Sequence, residues 1–113
     1  MQPDDAALLD VAYCCRRIVA LMQDATIEVF EADETLREAV QYRLIVAGEA
    51  VKRLSPAFRA NHAQFAWASV AGLRDILVHA YERVDSGEIW NIATTSVPQL
   101  LEYVDPLLPR RDE

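Results

Sequence analysis

Arg74, Asp75, His79 and Tyr81 stand within eight residues of one another in an otherwise apolar stretch, Leu73-Arg74-Asp75-Ile76-Leu77-Val78-His79-Ala80-Tyr81. Arginine is a permanent cation suited to phosphate, and histidine exchanges a proton near neutral pH. Phosphodiester cleavage without a metal requires that pair of properties. The competing reading is structural: Arg74 neutralises a nearby carboxylate and His79 caps a helix end, since structural networks also gather charge.

The spacing sharpens the choice. On a helix turning about 100° per residue, Trp67, Val70, Leu77 and Val78 fall on one side with Arg74 in the middle of the stripe, and Tyr81 lies nearly beneath it. A guanidinium there needs a partner or a wet cleft, because an unpaired buried charge is costly. His79 is turned by about 140° from Arg74 and displaced by about 7.5 Å along the axis. Either the helix end distorts, or two copies meet across a two-fold axis and build the site jointly. Asp75, four residues before His79 and on its face, could accept a hydrogen bond from the imidazole and fix its tautomer.

The elements that position these residues read as helices. Leu8, Val11, Cys15, Ile18, Met22 and Ala25 recur at steps of three and four, which predicts a helix over about residues 5 to 24. Thr26 to Asp33 is β-branched and aromatic, yet a lone strand has nothing to pair with, so a helical turn or compact connector is expected. Asp33 is suited to cap a helix over about 34 to 54, with Leu36, Val40, Leu44, Ala47, Val51 and Leu54 on one face. Tyr42, Ile45, Val46 and Ala50 make that helix apolar around much of its circumference, so it is central or shared with a second subunit. Gly48 within it reads as a close helix approach or a tolerated small residue, and Glu49 and Arg53 as a surface ion pair.

Ser55-Pro56 is a cap followed by proline at the first helical position, opening a short turn to Ala60. His62 follows as a solvated or capping histidine. Trp67 opens the helix that carries the charged stretch. Asp85-Ser86-Gly87-Glu88 resembles a capping box for a helix over about 86 to 95, and a last helix restarts with Ser96 or Val97 as its cap. Pro106 and Pro109 end it. The expected fold is all-α, a bundle of four or five helices over one domain, residues 1–113.

Composition restricts the partners. With 18 acidic against 11 basic residues the net charge is −7, which opposes a broad nucleic-acid surface and makes any RNA contact local. Lys52 is the only lysine. No apolar run approaches the length of a membrane span, no secretory leader is evident, and Cys14 and Cys15 are neighbours that cannot readily bridge each other, so a cytoplasmic protein is expected. No Cys/His cluster has zinc spacing, and neither metal nor cofactor is expected.

Arg74-Asp75-Ile76-Leu77-Val78-His79-Ala80-Tyr81 resembles the R-x4-H-x-Y motif of the HEPN superfamily, specifically its HepT-like toxins. Tyr42-Arg43-Leu44-Ile45-Val46-Ala47-Gly48-Glu49-Ala50, Leu54-Ser55-Pro56, Trp67, Val84-Asp85, Ile89-Trp90 and Val97-Pro98-Gln99-Leu100 extend the resemblance over about residues 26 to 108. The resemblance implies an up-and-down, HEPN-like helical homodimer that is a metal-independent ribonuclease, the toxin of a toxin–antitoxin pair. Its antitoxin would be a small nucleotidyltransferase of the MNT type. It assigns catalysis to Arg74 and His79, a supporting place to Asp75 where many members have asparagine, and modification with AMP by the partner to Tyr81. The alternative is a non-catalytic helical binding partner of such a nucleotidyltransferase.

Overall fold

The computed structural model describes residues 3–80 and 84–109, and within them every regular element is helical. Helix α1, Pro3–Met22, starts with proline where a missing N–H costs nothing and carries Asp4 and Asp5 in its first turn, favourable to the helix dipole. Leu8, Val11, Cys15, Ile18 and Met22 are buried along it, as their spacing predicts. The helix stops two residues short of expectation because Asp24 takes a left-handed backbone, φ 64°, and Ala25 N–H closes the turn onto the Met22 carbonyl at 3.0 Å.

Thr26 to Asp33 is a short helix and its caps. The Thr26 hydroxyl accepts from Val29 N–H at 3.2 Å, and α2, Ile27–Ala32, buries Phe30 against the tilted ring of Trp90. Asp33 caps α3, Glu34–Lys52, by accepting from Leu36 N–H at 3.0 Å. Ser55 caps α4, Pro56–Asn61, accepting from Phe58 N–H at 3.1 Å, and is itself held by Asp4, whose carboxylate accepts from Ser55 N–H at 2.7 Å and from its hydroxyl at 2.8 Å. That pair of bonds ties the start of α1 to the turn after α3. Helix α5, Trp67–Ala80, carries the charged stretch.

The end of the chain departs from expectation twice. Asp85 does not cap α6, Ser86–Asn91, with its side chain; its backbone carbonyl instead accepts from Glu88 and Ile89 N–H. Nor does the chain break at Ser96 or Val97. It passes through a π-helical turn, Ile92–Ser96, into α7, Val97–Val104, with Val97 N–H bonded to the Ile92 carbonyl. Pro98 supplies the reason: it has no N–H for the carbonyl four residues back and its ring crowds that group, so the turn widens. A 3-10 turn, Asp105–Leu107, follows.

Helix α3 packs on α1 and on α5, while α1 also packs on α7. The helix whose apolar residues wrap most of its circumference is therefore the central one. The core draws Phe30, Ile18, Val40, Val51, Leu77, Ile89 and Val104 from these elements. Cys14 and Cys15 are buried free thiols, and burial, then the neighbouring Cys14, pushes Cys15 up to about 12. Because the thiolate is the reactive form, native protein treated with iodoacetamide at pH 7.5 should leave Cys15 unmodified, and denatured protein should take up the label there, as peptide mass spectrometry reads.

Candidate active site

The α3–α5 contact builds the site from its backbone outward. Arg59 donates to the Val51 and Lys52 carbonyls, and the adjacent Phe58 ring meets Trp67 at 5.7 Å. The end of α3 and the start of α5 thus lie together, and the two helices run antiparallel. Midway along, Gly48 faces Arg74 so closely that a Cβ on Gly48 would sit 2.3 Å from the Arg74 Cβ and 3.2 Å from the Val70 carbonyl oxygen. Of the two readings its sequence position allows, close helix approach is the one realised.

That closeness fixes what surrounds the guanidinium. Arg74 Nε forms an ion pair with Glu49 Oε1, and neither of these buried atoms has another hydrogen-bond partner. Arg74 Nη1 donates to Asp75 Oδ1 at 2.9 Å, and Lys52 Nζ donates to the same oxygen at 2.6 Å. The arginine side chain keeps 24% of its surface exposed, and no hydrogen bond engages its Nη2 among the described residues. Glu49, Lys52, Arg74 and Asp75 form a chain of alternating charge, neutral in sum, with one guanidinium edge open.

The surface ion pair expected between Glu49 and Arg53 is not formed: Glu49 turns to Arg74, and Arg53 pairs with Asp10 on α1. An exposed pair within one helix contributes only a few tenths of a kcal/mol, whereas a half-buried guanidinium on an apolar stripe demands a counter-charge. Two signals pointed to Glu49: it follows the glycine of close approach, and Arg74 lacked a partner on its own stripe. Lys52 as a participant had no such signal.

Hydrogen bonds from Lys52, then from Arg74, hold the Asp75 carboxyl below its ordinary range, and those from Asp75, with Glu49 adding to them, raise Arg74. The linkage has a definite sign. A depressed carboxyl stabilises the fold above its ordinary value, near 3.8, and loses that contribution as pH falls through its lowered value. The melting-temperature advantage of wild type over Asp75→Asn should therefore be constant from pH 7 to 5 and shrink below about pH 4. A difference that persists unchanged at pH 2 would show that Asp75 acts without its charge.

His79 lies in the last turn of α5, exposed, with no hydrogen bond or ion pair to another described residue. Asp75, expected as its orienting carboxylate, is engaged by Lys52 and Arg74 instead. Within one chain Arg74 is held against α3 while His79 stands in solvent, and Tyr81 lies outside the described residues. His62 is structural, as a capping role anticipates: its N–H closes α4, its Nδ1 lies 2.9 Å from the Tyr103 hydroxyl, and its ring stacks on Phe58.

A groove of about 750 Å³ runs beneath the other side of α5, lined by Ile18, Leu44, Val70, Leu73, Ile76 and Leu100 among others. Its lining is mainly apolar, carries no charged side chain, and includes neither Arg74 nor His79. No cluster of side chains suited to a metal ion occurs among the described residues. No helix there is long and apolar enough to cross a membrane.

Comparison with known proteins identifies the family. Residues 11–107 match the family described as "Ribonuclease HepT-like". The "Putative RNase TTE0752" of Caldanaerobacter subterraneus subsp. tengcongensis is 32% identical over 96 residues, 85% of this chain and 86% of that protein. The "Probable ribonuclease HepT" of Thermococcus cleftensis is 31% identical over 93 residues, 82% of this chain and 84% of its own length. No solved structure matches the chain. With a match spanning nearly all of its helices, the chain belongs to the HepT-like ribonuclease family.

Proposed function

We propose that this protein is a metal-independent endoribonuclease, the toxin of a HEPN/MNT toxin–antitoxin pair, that cleaves RNA at a cleft between two copies of the chain. The observation that carries the reading is the family match over residues 11–107, which contains both Arg74 and His79. In the reaction, the 2'-hydroxyl of a ribose attacks the adjacent phosphorus, the 5'-oxygen of the next nucleotide leaves, and a 2',3'-cyclic phosphate remains. Arg74 presents its open Nη2 edge to a phosphate oxygen and stabilises the charge that grows there. His79 takes the hydroxyl proton or gives one to the leaving oxygen, and two copies divide those roles.

A dimer is invoked because Arg74 and His79 face apart in one chain. The edge of α5 turned away from α3 bears Gly72, Ile76 and His79, and Ile76 is 53% exposed there. Pairing two such edges buries an apolar side chain that otherwise faces water and brings two histidines together. The antitoxin would be an MNT-type nucleotidyltransferase that places AMP on Tyr81, adding bulk and negative charge beside the cleft.

RNA incubated in EDTA with wild type, Arg74→Ala and His79→Ala tests the reading. Cleavage by wild type and loss in both variants is expected; cleavage surviving both substitutions would remove the site, and cleavage abolished by EDTA would remove the metal-free mechanism. A second reading has its own support. Arg74 is already met by two carboxylates and the chain is acidic, as suits a non-catalytic partner of a nucleotidyltransferase. Growth arrest on expression, relieved by His79→Ala, favours the enzyme; indifference to that substitution favours the partner.

A further inference from the structure

In an acidic chain the cations that carboxylates leave free mark where an anionic partner can bind. Among the described residues, Arg16, Lys52, Arg53 and Arg74 each form an ion pair, and Arg37 and Arg59 donate to backbone carbonyls. Arg17 and Arg43 do neither, and they fall on one surface. Arg43, on α3, has its guanidinium carbon 5.3 Å from the Tyr13 ring centroid and 5.4 Å from that of Tyr42. Arg17 follows Tyr13 by four residues on α1 and so shares its face. Both rings are open to water, Tyr13 at 54% and Tyr42 at 57%.

We propose that Tyr13, Arg17, Tyr42 and Arg43 form a stacking platform for an unpaired stretch of RNA, with bases on the tyrosine rings and phosphates on the arginines. Exposed rings beside free guanidinia have the composition of single-strand binding surfaces, where every base offers a π-face whatever its identity. A second copy of the chain would set Arg17 and Arg43 against their own duplicates, and an acidic peptide would use the charges but leave the rings without a planar partner. Exposed Glu38, one turn before Tyr42, leaves Arg43 unpaired.

The platform is continuous with the candidate active site. Tyr42, Ile45, Glu49 and Lys52 recur at three- and four-residue steps on one face of α3, and Glu49 is the residue that holds Arg74. Tyr42 lies two turns, about 10.5 Å, before Glu49. Because α3 and α5 are antiparallel, that is also the end of the pair where His79 sits. A strand anchored on Tyr42 is thereby led toward Arg74, which localises the RNA contact on a protein of net charge −7. The platform deepens the ribonuclease reading and takes from it the identity of the strand.

Fluorescence anisotropy tests the platform on protein carrying His79→Ala, so that no RNA is consumed, using a short mixed-sequence single strand and the same sequence as a duplex at fixed salt. Tyr42→Ala and Arg43→Gln should each weaken single-strand binding about 5- to 100-fold, with Tyr42→Phe close to the parent and the duplex bound more weakly throughout. Melting curves should be unchanged, since these side chains are not in the core. Affinity for the single strand that is absent, or that stays within twofold in both variants, overturns the proposal. So does equal binding of strand and duplex, equal competition by polyglutamate and polyuridylate, or dissociation of a dimer by Tyr42→Ala in sedimentation. If the strand binds as expected while wild type cleaves nothing, the ribonuclease reading fails and the platform stands; if wild type cleaves and the variants bind unchanged, the platform alone fails.

Discussion

Arg74→Lys should reduce RNA cleavage nearly as far as Arg74→Ala, by on the order of 10²- to 10³-fold in the single-turnover rate, although it keeps the charge. The guanidinium is asked to do three things at once. Its Nε meets Glu49, its Nη1 meets Asp75, and its open Nη2 edge is the one the proposed mechanism gives to phosphate. A planar fork serves all three directions, whereas an ammonium is a point charge on a flexible stem that collapses onto whichever carboxylate is nearer. The lysine variant should therefore fold and melt like the parent while losing rate, and a rate within threefold of wild type would show that only net charge matters at this position. Glu49→Gln separates holding from charge: retaining the hydrogen-bonding shape, it should lose less activity than Glu49→Ala.

Gly48→Ala should lower both stability and rate, the rate more. An added methyl meets the Arg74 Cβ at 2.3 Å, well inside contact distance, and the neighbour is the stiff root of a side chain, not its movable tip. Overpacking of this kind costs about 1–3 kcal/mol, against which alanine recovers about 1 kcal/mol of helix propensity. The net loss of stability is thus modest, up to about 2 kcal/mol by the same figures, read from urea unfolding. Because α3 and α5 must separate where Arg74 is rooted, the guanidinium moves from where the proposed mechanism needs it, and a displacement near 1 Å can cost about 10²-fold. Gly72→Ala supplies the contrast, since nothing lies within 4 Å of its added Cβ, and it should gain about 1 kcal/mol in a single chain. Equal effects of the two substitutions would dismiss the close approach as the cause.

The helices were legible where apolar spacing and capping agreed. Asp33 and Ser55 cap as their types predict, and the buried faces of α1 and α3 follow the three-and-four rhythm. What escaped was long-range or geometric. Nothing local tells that Asp4 holds Ser55 across 51 residues, or that Arg53 leaves Glu49 for Asp10. The π-turn escaped because a cap at Ser96 or Val97 ahead of Pro98 reads as a fresh helix start, whereas the preceding helix widens and continues through it. In the site, winding alone separated Arg74 from His79, but the direction of the Asp75 carboxylate depended on Lys52 from another helix, which periodicity cannot register.

Lys52 is the sole lysine of the chain, so an amine-directed fluorophore or crosslinker has one side chain to find, and it stands beside the arginine. Acylation there would erase the positive charge that shares Asp75 Oδ1, leaving the carboxylate to Arg74 alone. One reagent would thus both place a reporter beside Arg74 and measure, through the change in melting temperature, how far the Glu49–Arg74–Asp75 network rests on the ammonium.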